Sequence, residues 1–78
     1  MVKPLVQPQR LQKGWYRHFK GGLYEVVDTA IDSETLQTMV VYRPEGSSEL
    51  WVRPYDMFVS FVEREGKTYK RFSLVDKA

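Results

Sequence analysis

The chain contains no cysteine. That absence excludes disulfides, thiolate nucleophiles and cysteine-ligated zinc. A small domain without covalent staples is expected in a reducing compartment, here the cytoplasm. His18 is the one histidine, so a multi-histidine metal site is excluded. No apolar run approaches the length of a membrane span, and the N-terminus carries no secretory apolar region. The five glycines form no phosphate-cradling loop, and Ser33, Ser47, Ser48 and Ser60 lie in no nucleophile-elbow pattern. Asp28, Asp32, Glu34 and Glu45 show no spacing that marks an acid–base pair. The expectation is a protein that is not an enzyme and carries no cofactor and no metal.

What the chain does have is aromatic side chains. Two Trp, five Tyr and four Phe in 78 residues supply large buried areas from few positions. That matters because one domain of this size has a high surface-to-volume ratio. The net charge of +2 is mild, and Glu63 and Glu65 dilute the densest basic segment, Lys67, Lys70 and Arg71. This pattern reads as a mixed solvated surface rather than the basic stripe of a committed nucleic-acid binder.

Residues 1–13 contain Pro4 and Pro8, which fix φ and remove N–H donors; they are expected to form an extended, partly disordered arm, unless Leu5, Val6 and Leu11 tack it to the domain. From residue 14 to 76 the texture is that of a single β-domain, with short β-rich runs split by turn residues. Strands are expected over Trp15–Lys20, Leu23–Ala30, Gln37–Arg43 and Glu49–Arg53, separated by Gly21-Gly22, Asp32-Ser33-Glu34 and residues 44–48. Tyr55, Phe58, Val59 and Val62 have helical spacing, but the β-branched and aromatic residues around them favour a strand. A single helical turn over Tyr55–Met57, opened by Pro54, is therefore expected before a strand over Phe58–Arg64. After the turn at Glu65-Gly66-Lys67, a last strand runs from Thr68 to Phe72 or a little beyond. The fold class is all-β: a small, strongly bent antiparallel sheet or SH3-like barrel of five to six strands with one short helical turn.

Six residues are candidates for a binding site. His18 could bind an anion or move protons near neutral pH; as a structural residue it would hydrogen-bond a carboxylate such as Glu34 or a backbone carbonyl. Trp51 and Arg53 are two apart and share a strand face, where they either form a stabilising lid or receive a planar or anionic ligand. Among the tyrosines, Tyr24 and Tyr42 read as core, and Tyr55 is the freer candidate. Lys20 falls on the same strand face as His18. The sharpest expectation is that at least two of His18, Glu34 and Arg53 come within direct or one-water contact beside Trp51, at one end of a barrel.

These residues also form blocks that resemble a bacterial family of short proteins, DUF1653, whose function is not established. The blocks are Tyr16 to Gly21, Tyr24-Glu25-Val26, Ser33-Glu34-Thr35, Val40-Val41-Tyr42, Trp51 to Phe58, and Arg71-Phe72. Their joint occurrence in order, from about Gly14 to Phe72, is specific; any one alone is weak. Leu36-Gln37 departs from the family pattern, where relatives often place Gly. Residues 44–48 depart where relatives more often carry a Tyr-Gly loop, which would alter a site lined by that loop. The resemblance implies a compact β-domain and brings no assigned activity.

The function expected from sequence is a non-catalytic recognition module for a peptide, a protein or a nucleic-acid strand, using His18, Lys20, Trp51, Arg53 and Tyr55. A protein or peptide partner is favoured, nucleic acid has weaker support, and no membrane is expected. The alternative is a small-ligand or enzyme accessory domain in which His18, Glu34 and Arg53 form a pocket. A third reading is self-association through an exposed edge strand.

Overall fold

The computed structural model describes residues 9–75. In chain order they form β1 (Gly14–His18), β2 (Leu23–Ile31), β3 (Thr38–Pro44), β4 (Trp51–Pro54), α1 (Tyr55–Phe58), β5 (Phe61–Arg64), β6 (Lys67–Lys70) and β7 (Phe72–Val75). Five strands make one antiparallel sheet in the order β4-β3-β2-β1-β7, and β5 and β6 make a separate hairpin. The result is a small antiparallel β-domain with one short helix. Among the described residues no helix is long and apolar enough to cross a membrane.

Seven strands replace the five to six expected, because the last expected strand is two. The local turn at Glu65 and Gly66, both with positive φ, folds β6 back on β5 as a two-residue hairpin requires. At Arg71 the chain changes partner. The Arg71 N–H donates to the Ser60 carbonyl (2.9 Å), its carbonyl accepts from Phe19 N–H (3.0 Å), and β7 then pairs with β1. Burial of Phe72 drives the switch, since Phe72 is 5% exposed while every residue of β6 is exposed.

The helical turn is one residue longer than expected, and β5 starts at Phe61 rather than Phe58. Val59 N–H bonds to the Tyr55 carbonyl (3.0 Å), and Phe58 becomes fully buried. There it stacks on Phe72 with centroids 4.1 Å apart and planes 3° from parallel. An apolar ring at i+3 from Tyr55 gains more from this slot than β-propensity could return on an exposed strand.

Between Val26 and Asp28 the β2–β3 register shifts, leaving Val27 as the extra residue of a bulge. Such a bulge bends and twists the sheet, which wraps one face around the core. That core is mostly aromatic: Tyr16, Val26, Val40, Tyr42, Phe58 and Phe72, with Leu11, Tyr24 and Tyr55 packed on it. Leu11 belongs to the expected arm, as do Gln9, whose N–H reaches the buried Thr38 hydroxyl (3.1 Å), and Gln12, whose carbonyl accepts from Tyr16 Oη (2.6 Å). Residues 9–13 are thus attached to the domain. The remainder of the expected arm, residues 1–8, lies outside the described residues.

Candidate functional site

Strand register brings the site together. The β1–β7 pairing sets His18 opposite Phe72. On the other side of the sheet, β3–β4 pairing sets Trp51 opposite Tyr42 and Arg53 opposite Val40. Tyr42 and Val40 are buried, so Trp51 and Arg53 share the core-facing side of β4. Tyr24 lies between these groups. Its ring centroid is 5.7 Å from Tyr42, 6.2 Å from Trp51, 5.6 Å from Phe72 and 6.3 Å from His18.

Gly22 keeps Tyr24 in place. Of the two glycines in the β1–β2 turn, Gly21 takes a positive φ, 107°. Gly22 does something else: a Cβ there would meet the Tyr24 ring at 3.0 Å. It is a close approach, not a backbone requirement, that calls for the second glycine.

Cations converge on the rings. The Arg53 guanidinium carbon is 5.4 Å from the Phe72 centroid, and its Nε donates to Tyr42 Oη at 3.2 Å. His18 meets the same Phe72 ring edge-on, with centroids 4.9 Å apart. Arg71 is half-buried and donates from Nε to Ser60 Oγ (3.0 Å). Lys20 is exposed, with Nζ 5.8 Å from the Phe19 centroid. Burial, then the positive charges of Arg53, Lys20 and Arg71, hold the His18 pKa below its usual value. The imidazole is therefore neutral near pH 7, and its Nδ1 accepts from the Lys20 N–H (3.2 Å). The ion pairs among the described residues, Lys13–Asp28 and Arg43–Glu25, involve neither Arg53 nor Arg71. Chemically, this corner offers aromatic faces, guanidinium donors and a field that favours an anion.

The six sequence candidates are thus divided. His18 and Arg53 meet over Phe72, Trp51 stands beside them at 45% exposure, and Lys20 lies on the rim. Tyr55 is half-buried against the core and, second to burial itself, helps to raise the Tyr16 pKa. Glu34 is elsewhere. It sits in the β2–β3 turn, its N–H bonded to Asp32 Oδ1 (2.8 Å), beyond the far end of β2 from Tyr24. From Tyr24 to Ile31 alone the strand spans about 23 Å, so the three-residue pocket with Glu34 does not form. Only a barrel that brought both ends of β2 close would carry the carboxylate to His18, and the strand is too long for that.

Sequence reasoning missed Tyr24, Arg71 and Phe72 as site members. The available signal was the Arg71-Phe72 pair: once β7 is laid on β1, Phe72 lies directly opposite His18 and Arg71 one residue beyond. A cleft of about 280 Å³ opens next to the site, lined in part by Arg17, His18, Tyr69 and Lys70. A second, of about 200 Å³, lies over Leu11, Tyr16, Phe58 and Phe72. Among the described residues there is no group of three or more His, Asp or Glu able to hold a metal ion.

Fold and site together define a small antiparallel β-domain with a cationic aromatic corner. The chain belongs to DUF1653, a family described as proteins of unknown function, whose model matches residues 14–74. It is similar to a crystal structure of a protein belonging to DUF1653 from Bordetella bronchiseptica. The two share 25% identity with a TM-score of 0.77, over 87% of this chain and 91% of that one. No curated protein matches the chain significantly.

Proposed function

We propose that the chain is a non-catalytic recognition module, acting in the cytoplasm, that takes anionic side chains of a protein or peptide partner into the corner formed by His18, Tyr24, Trp51, Arg53 and Phe72. The observation that carries this reading is the meeting of His18 and Arg53 on one aromatic ring, beside a half-exposed Trp, in the field of Lys20 and Arg71. Trp and Arg are the residue types enriched where partners are held tightly. Arginine has five N–H donors in a planar fork, of which Nε accounts for one here, and the fork matches a carboxylate. The bent sheet is read as an SH3-like barrel in outline. In support, β1 to β4 follow one another in space, and α1 intervenes before the chain returns to β1 through β7.

The test is an NMR titration of ¹⁵N-labelled protein with an acidic peptide, a basic peptide of equal length and a single-stranded oligonucleotide. The acidic peptide is expected to shift the Trp51 indole and the His18 and Arg53 resonances, with binding weakened by salt and lost in Arg53→Ala. Preference for the oligonucleotide, or no response at these residues, would overturn the reading.

A further inference from the structure

The proposed site lies on one face of β4, and among the described residues no strand pairs with the outer edge of β4. β4 is the end of the sheet order, paired on one side with β3. A strand so placed presents a row of backbone N–H and C=O groups to any extended chain that reaches it. Edges are normally blunted with charge, proline or a bulge. Here Pro54 closes one end, but Leu50, Trp51 and Val52 are consecutive, apolar and 56%, 45% and 61% exposed.

We propose that an extended segment of a partner protein adds to β4 as a sixth strand of the sheet, and that this segment alternates acidic with apolar side chains. The proposal rests on the recognition reading above and names the form of its partner. The alternation follows from register. Trp51 and Arg53 face the core side, opposite Tyr42 and Val40, whereas Val52 faces the outer side, opposite Val41. A strand laid beside β4 sets its own side chains in the same two rows, about 5 Å from their neighbours. Residues next to Trp51 and Arg53 meet the Arg53 guanidinium, which suits a carboxylate. Those on the other row meet Val52, with Leu50 just beyond the end of β4, which suits an apolar side chain.

Charge also argues against a second copy of this chain as the occupant. Pairing β4 with its symmetry mate would bring like charges, Arg53 and its equivalent, to one face of the new sheet, whereas cross-strand pairs favour opposite charges. A nucleic-acid strand has no backbone amide to offer an edge.

The probe is a capped seven-residue peptide alternating Glu and Val, titrated into the ¹⁵N-labelled full chain. Two further versions carry N-methyl groups on the odd or the even residues, so that one of them removes the donors facing β4 while side chains are unchanged. The expected result is that one methylated version binds about tenfold more weakly, a loss typical of one to two hydrogen bonds. The other should bind like the parent, and the amides of Trp51, Val52 and Arg53 should gain protection from hydrogen exchange in the complex. Val52→Glu, an exposed substitution, should weaken binding with little effect on folding. If both methylated peptides bind like the parent while Trp51 and Arg53 still respond, strand addition is overturned and the recognition site stands. If no acidic peptide binds, both readings fall. Dimerisation of the free protein in sedimentation, with the same amides already protected, would assign the edge to a second copy and overturn the proposal.

Discussion

The two ends of β2 use the same chemical vocabulary in opposite ways. At the Asp32–Gln37 turn, polar side chains are consumed by their own backbone. Asp32 Oδ1 accepts from the N–H groups of Glu34 (2.8 Å) and Thr35 (3.4 Å), and Thr35 Oγ1 accepts from Gln37 N–H (3.2 Å). At the Tyr24 end, cations are aimed at aromatic rings and a phenol instead, and their charges reinforce one another over His18. The first arrangement makes a turn and nothing more. The second gathers positive charge around one imidazole, and the proposed anion site rests on that arrangement.

The strongest way to break this contrast is to remove the ring that Arg53 and His18 share. Phe72→Ala is expected to cost about 3–5 kcal/mol, enough to unfold much of a small domain, because Phe72 is buried and stacked on Phe58. Trp51→Ala should cost less, about 1–2 kcal/mol, since the indole is nearly half exposed. Denaturant melts of the two variants check the ranking. Equal losses would mean that Trp51 is a core residue and not a contact surface.

Much of this architecture was legible in the sequence. The Val40-Val41-Tyr42 run, the Gly21 turn and the Arg53-Pro54 break give β3, the β1–β2 connection and the end of β4, because alternation and turn chemistry are local signals. The pairing of β7 with β1 was not, since it joins residues more than fifty apart and nothing local announces it. The same cause hid Phe72 from the site and put Glu34 into it. The Leu36-Gln37 segment, by contrast, meets a real local demand: Leu36 has φ of 62°, the left-handed region that a glycine would occupy without strain.

Gly22→Ala sharpens the comparison without unfolding anything. The added methyl group must push the Tyr24 ring, while the stiffer unfolded chain returns a few tenths to about 1 kcal/mol. The net change in stability is expected within about 1 kcal/mol, with Tyr24, Trp51 and His18 resonances displaced and acidic-peptide affinity reduced. Unmoved Tyr24 resonances would show that the ring has room to spare.

Acid should reach the site through His18. Its folded pKa lies below the unfolded value near 6.5, so the unfolded chain binds the proton first. The stability associated with the neutral imidazole is present above about pH 6.5 and declines as pH falls toward the folded pKa. His18→Asn keeps an acceptor near Nδ1 but cannot titrate. The melting temperature of the wild type relative to this variant should therefore drop between pH 7.5 and pH 5. Binding of an acidic peptide should raise the His18 pKa, because the new charge opposes Arg53, Lys20 and Arg71. A pKa unmoved by the peptide would separate His18 from the binding surface.

The smallest effect is expected at the other end, and it tests whether that end is only a turn. Leu36→Gly removes the left-handed strain of a β-carbon, on the order of 1 kcal/mol. Against this stand the extra freedom of glycine in the unfolded chain and the loss of a half-buried side chain, together of similar size. The balance should leave stability within about 1 kcal/mol of wild type by denaturant melt. Leu36→Val should be worse than Leu36→Gly, because a β-branched side chain tolerates positive φ least. Neither change should alter acidic-peptide affinity or the Trp51 resonances, since the turn is bonded within itself and β2 separates it from Tyr24 by most of its length. If affinity followed Leu36, the two ends of β2 would be coupled through the bulge at Val27, and the division between turn and site would have to be redrawn.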